Sequence, residues 1–243
     1  MREGGKILAG VMEKIAREIA PGKNTQELDK LAEELVFASG GSPSFKGYGG
    51  DTERGFPATI CASINSEVVH GIPAKNKVLK EGDIFKVDIG IKYKGLHTDM
   101  ARTFAVGNIS PEAKKLMEAT EKSFWEGIKN IGPEKKLSEY SKTVQKYVEA
   151  GGFSVVRNLV GHGVGKGLHE DPQIPNYYNR KYQDALLAPG MTLALEPMVN
   201  AGGFETILGR NGWVFATKDG SLSAHYENTI LITEKGVEVL TIL

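Results

Sequence analysis

Cysteine is almost absent: Cys61 stands alone in 243 residues. A single thiol cannot build an internal disulfide framework, and such usage suits a reducing compartment, so a cytoplasmic protein is expected. Net charge is lacking too. The 30 basic and 30 acidic residues cancel to +0, which argues against nucleic acid or an anionic membrane as the main partner. No apolar run is long enough to cross a bilayer. The N-terminal "MREGGKILAGVMEKIAREIA" breaks its apolar residues with Glu13, Lys14, Arg17 and Glu18, and so has no signal-peptide core. What is present, at 40% hydrophobic content, is a chain able to bury a substantial core.

Periodicity places the elements. Leu8, Val11, Met12, Ile15 and Ile19 recur at helical spacing and stop at Pro21-Gly22. Asn24 with Glu27 three residues on reads as the start of a second helix that stops at Gly40-Gly41. Strand-like runs follow at 58–65 and 84–91. Ser110-Pro111-Glu112 opens a third helix to about Ile128, and a fourth ends at Gly151-Gly152. The plan of helix, break, charged helix, Gly-Gly stop and strands thus occurs twice. Glu13-Lys14 returns 108 positions on as Glu121-Lys122, and the same offset carries Asp88 onto Glu196. A period near half the chain points to duplicated halves, about 1–107 and 108–243, within one domain of 1–243.

Two aspartates interrupt "VDIGIKYKGLHTDMARTF" (87–104), otherwise an ordinary hairpin. Lys94-Gly95 fits a two-residue turn. That turn pairs Tyr93 with Leu96, Asp88 with Ala101 and Gly90 with Asp99. The aspartates then share one face as diagonal neighbours, roughly 7–8 Å apart at the backbone. Gly90 is expected to leave room between them, while Val87, Ile89, Ile91 and Met100 face a core. Such a pair can share a proton, pair with Arg102 or Lys92, or bind a metal.

Further residues weigh on that choice. His162 stands among glycines in "GHGVG", and Glu196 and Glu227 each interrupt an apolar strand-like run. Four carboxylates and one imidazole make a ligand set for a pair of divalent cations. The oxygen-rich set favours manganese-, iron- or cobalt-like ions over a cysteine-rich structural zinc site. The glycine run 161–167 fits neither a dinucleotide fingerprint nor a Walker loop. His97, beside the turn, and His225 are expected to be solvated.

Five motifs, "SINSEVVHGIP" (63–73), the stretch 87–107, "GHGVGKGLHEDP" (161–172), "LALEPMVN" (193–200) and "SLSAHYENTILIT" (221–233), resemble those of the type I methionine aminopeptidases. These are pita-bread metallopeptidases related to prolidase and Xaa-Pro aminopeptidase, and the resemblance covers essentially the whole chain. It implies an α+β fold of two pseudo-twofold halves, with a central antiparallel sheet and helices covering its outer face.

The same resemblance implies two divalent metal ions, cobalt, manganese, iron or zinc. Asp88 would hold one, Asp99 and Glu227 would bridge both, and His162 and Glu196 would complete the second. Glu196 would act as general base, with hydroxide held between the metals as nucleophile. His70 and His169 match the two substrate-contacting histidines, His169 at the scissile carbonyl and His70 near the leaving nitrogen. Phe56, Cys61 and Trp213 match the methionine pocket. Leu168 stands where the family often has phenylalanine, and 46–57 is longer and more charged than the usual loop, so Tyr48 and Arg54 carry no assignment.

The implied substrates are peptide or nascent-protein N-termini beginning with Met, followed by a small residue. The implied state is a cytoplasmic monomer, with the ribosome a candidate partner. The 31 positions from Glu196 to Glu227 leave no room for the type II helical insertion. Xaa-Pro cleavage and a binding role without catalysis are the competing readings.

Overall fold

The computed structural model describes residues 1–50, 55–182 and 184–243. Four helices are α1 (Arg2–Arg17), α2 (Thr25–Ala38), α3 (Pro111–Lys129) and α4 (Ser138–Ala150). Their ends follow local chemistry. The Asn24 side chain accepts from the Glu27 N–H at 3.0 Å and donates to the Glu27 carboxylate at 2.7 Å, a reciprocal cap for α2. Ser110 accepts from the Ala113 N–H at 3.1 Å and caps α3, with Pro111 in its first turn.

Between α2 and α3 run β1 (Ser42–Pro43), β2 (Ile60–Ile64), β3 (Glu67–Val69), β4 (Ile84–Tyr93) and β5 (Leu96–Ala105). After α4 come β6 (Ser154–Val155), β7 (Gly161–Gly163), β8 (Glu170–Ile174), β9 (Thr192–Leu195) and β10 (Met198–Asn200). The last five are β11 (Thr206–Leu208), β12 (Phe215–Thr217), β13 (Ser223–His225), β14 (Glu227–Thr233) and β15 (Gly236–Val239). The main sheet runs β1-β4-β5-β14-β9-β7-β8, with β2 on β4 and β15 on β14. Two smaller sheets, β13-β10-β6 and β11-β12-β3, flank it.

Hydrophobic burial holds the helices on the sheet. One core joins Leu8, Met12 and Ile15 of α1 and Leu28 and Val36 of α2 to Val87, Ile89 and Ile91 of β4 and Met100 of β5. A second joins Leu116 and Phe124 of α3 and Tyr140 and Val144 of α4 to Leu193, Leu195, Ile230 and Ile232. Each fully buried side chain of this size contributes roughly 1.5–3 kcal/mol.

The long hairpin has the expected register. Lys94 and Gly95 both take positive φ, 51° and 82°, as the tight turn requires. Tyr93 pairs with Leu96, Asp88 with Ala101 and Gly90 with Asp99. The space expected at Gly90 is not left open, however. A β-carbon there would meet Ser44 Cβ at 2.8 Å and Phe45 Cε1 at 2.9 Å. The chain leaving β1 uses the missing side chain to pack Phe45 beside the aspartates, fixed by the Ser44 N–H on the Gly90 carbonyl at 3.0 Å. Gly90→Ala is therefore expected to destabilise the fold by about 1–3 kcal/mol, as overpacking does. Urea denaturation of the two proteins measures this.

Candidate metal centre and cleft

Four strands and the end of a fifth deliver five donors to one place. Asp88 and Asp99 come from opposite arms of the β4–β5 hairpin, and Glu227 opens β14, opposite Ala101 of β5. His162 is the middle residue of β7, and Glu196 directly follows β9, to which β7 is paired. Ligating atoms of Asp99, His162 and Glu227 all lie within 4.8 Å of one another. Glu196 Oε1 stands 3.6 Å from His162 Nε2. Asp88 stands next to Asp99 on the acidic face, and Cys61 faces it across the β2–β4 pair.

Burial makes this arrangement costly. Desolvation, joined by the neighbouring carboxylates, drives Asp88, Glu196 and Glu227 well above the usual carboxylate range. Desolvation pushes Asp99 up to about 7. No lysine or arginine among the described residues bridges to any of the four. Arg102 instead donates to the Ala101 and Glu227 carbonyls and to Asn228 Oδ1, and lies over the Tyr226 ring. Lys92 is exposed. Lys86 is 1% exposed, yet its ammonium is spent on the Asn65 and Ser223 carbonyls at 2.8 and 2.7 Å.

The ion-pair reading of the aspartates therefore fails, and one shared proton neutralises only one of four charges. Asp88 Oδ1 and Asp99 Oδ1 are buried without a hydrogen-bond partner. Unsatisfied carboxylate oxygens beside a neutral imidazole are a donor set that fits divalent cations. His162 suits that role. Burial lowers it to about 3, and its Nδ1 lies 2.8 Å from the Gly163 carbonyl, leaving Nε2 turned toward Glu196.

The donors form the floor of a cleft of about 720 Å³, its open mouth included. His70 and His169 both line it. The imidazoles of His162 and His169 lie 4.1 Å apart between centroids, although the residues are seven positions apart in sequence. The loop doubles back at the glycines: Gly165 N–H bonds the Gly167 carbonyl and Gly167 N–H bonds Glu170 Oε1. The Tyr48 ring also packs against His169, with centroids 4.7 Å apart. His70 adopts φ 58° at the end of the β3 segment, and burial lowers it to about 4. Phe45, Phe56, Ala58, Cys61 and Leu168 form an apolar cluster against which Trp213 packs, its ring edge-on to Phe56 at 5.4 Å.

Two histidines depart from expectation. His97 is 9% exposed rather than solvated, with Nδ1 2.9 Å from Ser44 Oγ. The strand leaving β1 covers the turn end of the hairpin, which the hairpin sequence alone does not disclose. His225 is 1% exposed, with Nε2 3.6 Å from Glu196 Oε2. It ends β13, in a sheet separate from that of Glu227, so the alternation around Glu227 does not disclose its burial. Phe45 was also missed, and Tyr48 had carried no assignment. Residues 51–54, which include Arg54, lie outside the described residues.

The model of metallopeptidase family M24 matches residues 1–234. The chain belongs to metallopeptidase family M24. Among M24 relatives, methionine aminopeptidase 1 of Bacillus subtilis is 49% identical over 241 residues, spanning 99% of this chain and 94% of that one. A methionine aminopeptidase structure from Thermotoga maritima superposes with a TM-score of 0.95 at 44% identity, covering 100% and 95% of the two chains. The prolidase of Pyrococcus furiosus shares the fold, with a TM-score of 0.79 at 22% identity, and this chain covers 62% of it. The α+β architecture is thus the pita-bread fold, and membership in M24 carries divalent-metal binding with it.

The raised carboxylates have a measurable consequence in metal-free protein. Between 3.8 and about 7, folded Asp99 keeps a proton that the unfolded chain has released. Its contribution to stability is therefore complete at low pH and lost as pH rises toward 7. The buried histidines have the opposite sign, since His162 and His225, held at about 3, bind fewer protons folded than unfolded up to 6.5. Comparison with Asp99→Asn isolates the carboxylate. Metal-free Asp99→Asn should denature later than the parent above pH 7, with the gap closing toward pH 4. Manganese should raise the parent's midpoint and leave the variant's nearly unchanged, as followed by thermal denaturation.

Proposed function

We infer that this chain is a methionine aminopeptidase that removes the N-terminal methionine of peptide and protein substrates. The observation that carries this is full-length similarity to methionine aminopeptidases at 40–49% identity, joined to a buried acidic centre flooring an apolar cleft. Asp88, Asp99, His162, Glu196 and Glu227 are proposed to hold two divalent cations. The number of donors, four of them anionic, exceeds what one ion needs. Bound divalent cations supply Lewis acidity, which makes water a competent nucleophile near neutral pH.

The remaining roles belong to the chain's own side chains. Glu196, at the edge of the cleft floor and 13% exposed at its side chain, takes the proton from the attacking water and delivers it to the leaving amine. His169, packed against His162 and Tyr48, donates to the scissile carbonyl oxygen as negative charge develops there. His70, across the cleft, hydrogen-bonds near the departing nitrogen. The unbranched methionine side chain fills the cluster of Phe56, Cys61 and Trp213, with Phe45 and Leu168 completing its walls. The substrate's free α-amine binds at the acidic floor, so only the first peptide bond reaches Glu196.

Leu168 in this wall supports keeping methionine as the substrate, since it is as apolar as phenylalanine and is 4% exposed. The two separate cores under α1–α2 and α3–α4 support the duplicated halves. A cytoplasmic monomer acting on chains as they leave the ribosome fits the lone buried cysteine and the balanced charge.

After loading in turn with cobalt, manganese, iron or zinc, the protein should release methionine from Met-Ala-Ser and leave Ala-Pro-Ser intact. The best-supported metal is the one giving the highest kcat/KM. Asp99→Ala should abolish release, and His169→Ala should lower kcat about 10²–10³-fold. Cleavage of Ala-Pro-Ser in preference to Met-Ala-Ser would replace this reading with an Xaa-Pro activity.

A further inference from the structure

His225 is held by its backbone and is unpaired at its ring. Its N–H donates to Thr103 Oγ1 at 2.9 Å, and its carbonyl accepts from the same hydroxyl at 2.8 Å. The ring is 1% exposed, and neither Nδ1 nor Nε2 has a hydrogen-bond partner among the described residues. Buried polar atoms of native proteins are rarely left in this state. A neutral imidazole carries an N–H on one ring nitrogen and must place it somewhere.

Among the titratable side chains described around the ring, one serves as an acceptor. The titratable groups acting on the ring besides Glu196 are His70, Lys86 and Arg102. Lys86 and Arg102 offer only donors, and both are engaged elsewhere, on the Asn65 and Ser223 carbonyls and on Glu227 O and Asn228 Oδ1. His70 faces into the cleft, edge-on to Phe215 at 6.0 Å. Glu196 Oε2, 3.6 Å from Nε2, is the acceptor within a small side-chain adjustment, while Oε1 of the same carboxylate is turned to His162.

We propose that His225 is a positioning residue for Glu196: its Nε2–H donates to Oε2 and fixes the carboxylate plane, so that Oε1 stays turned to His162 and the cleft. Glu196 is then straddled by two imidazoles with different tasks. His162 shares its cleft side, and His225 orients it from β13. The orientation matters because Glu196 sits one residue beyond the end of β9, where the ladder no longer fixes its side chain. β13 in turn is held to β4 by the ammonium of Lys86 on the Ser223 carbonyl, so the orienting ring has a rigid base. The kinetic part of this inference rests on the role proposed for Glu196 in methionine release.

The test compares His225→Leu, which removes both ring nitrogens, with His225→Gln, whose amide N–H can reach the same oxygen. The leucine variant should lose about 10–100-fold in kcat on Met-Ala-Ser, the range for groups that orient a ligand, with KM within about twofold of the parent. The glutamine variant should recover most of that loss. Bound manganese, measured by elemental analysis, and the thermal midpoint should match the parent in both.

A second readout does not depend on turnover. In metal-free protein carrying isotope-labelled histidine, the NMR spectrum should contain a slowly exchanging imidazole N–H that vanishes in His225→Gln and shifts in Glu196→Gln. Leucine-variant activity equal to the parent's overturns the proposal. So do a glutamine variant no faster than leucine, losses that track metal content or unfolding, and an N–H indifferent to Glu196. Failure of the parent itself on Met-Ala-Ser would instead sink the aminopeptidase reading, and the NMR result would still decide the His225–Glu196 contact.

Discussion

Mutual repulsion among four buried carboxylates is the constraint around which this molecule is arranged. Asp88, Asp99, Glu196 and Glu227 are each driven upward by desolvation, three of them further by one another. The three cations nearest by sequence do not relieve them: Arg102 and Lys86 are committed to carbonyls, and Lys92 points to water. Such a centre persists because the scaffold is rigid and because cations from solution can answer the charge. The stability it withholds from the metal-free chain is the binding energy it offers to metal.

That rigidity comes from strand pairing with hydrophobic backing on the reverse face. Val87, Ile89, Ile91 and Met100 lock the β4–β5 hairpin against α1 and α2, so the alternate positions have no freedom to slip. Asp99 is further pinned through its backbone, whose N–H donates to Thr229 Oγ1 at 2.8 Å while its carbonyl accepts from the same hydroxyl at 2.9 Å. Thr229 lies on β14, two residues after Glu227, so this pair ties two proposed ligands from distant parts of the chain. The proposed ligands from the later strands are backed by the separate core under α3 and α4.

Much of the site is legible in the amino-acid sequence. The turn at Lys94-Gly95 fixes the hairpin register, and register alone puts Asp88 and Asp99 on one face. His162, Glu196 and Glu227 stood out because a charged or polar group inside an apolar or glycine-rich strand must have a partner. Local pattern alone makes Gly90 free space and His97 and His225 solvated, and the structure differs at all three. Each difference has the same source. Gly90 and His97 are covered by the segment 44–45, and His225 by residues from β4, β5 and the end of β9, all remote in sequence. Local pattern tells which side a residue faces, not what arrives there.

The sequence by itself determined the helix caps, the hairpin register, the alternation of core and acidic faces and the supply of metal-binding side chains, because each follows from steric and hydrogen-bonding rules acting over a few residues. Tertiary structure alone decided which of the five histidines meet. It brought His162 and His169 to 4.1 Å, placed His225 beside Glu196 and set His97 on Ser44. It also decided that buried Lys86, two residues before Asp88, would serve carbonyls rather than carboxylates. Those outcomes depend on separate strands and loops packing around one cleft, and no periodicity within a single segment encodes them.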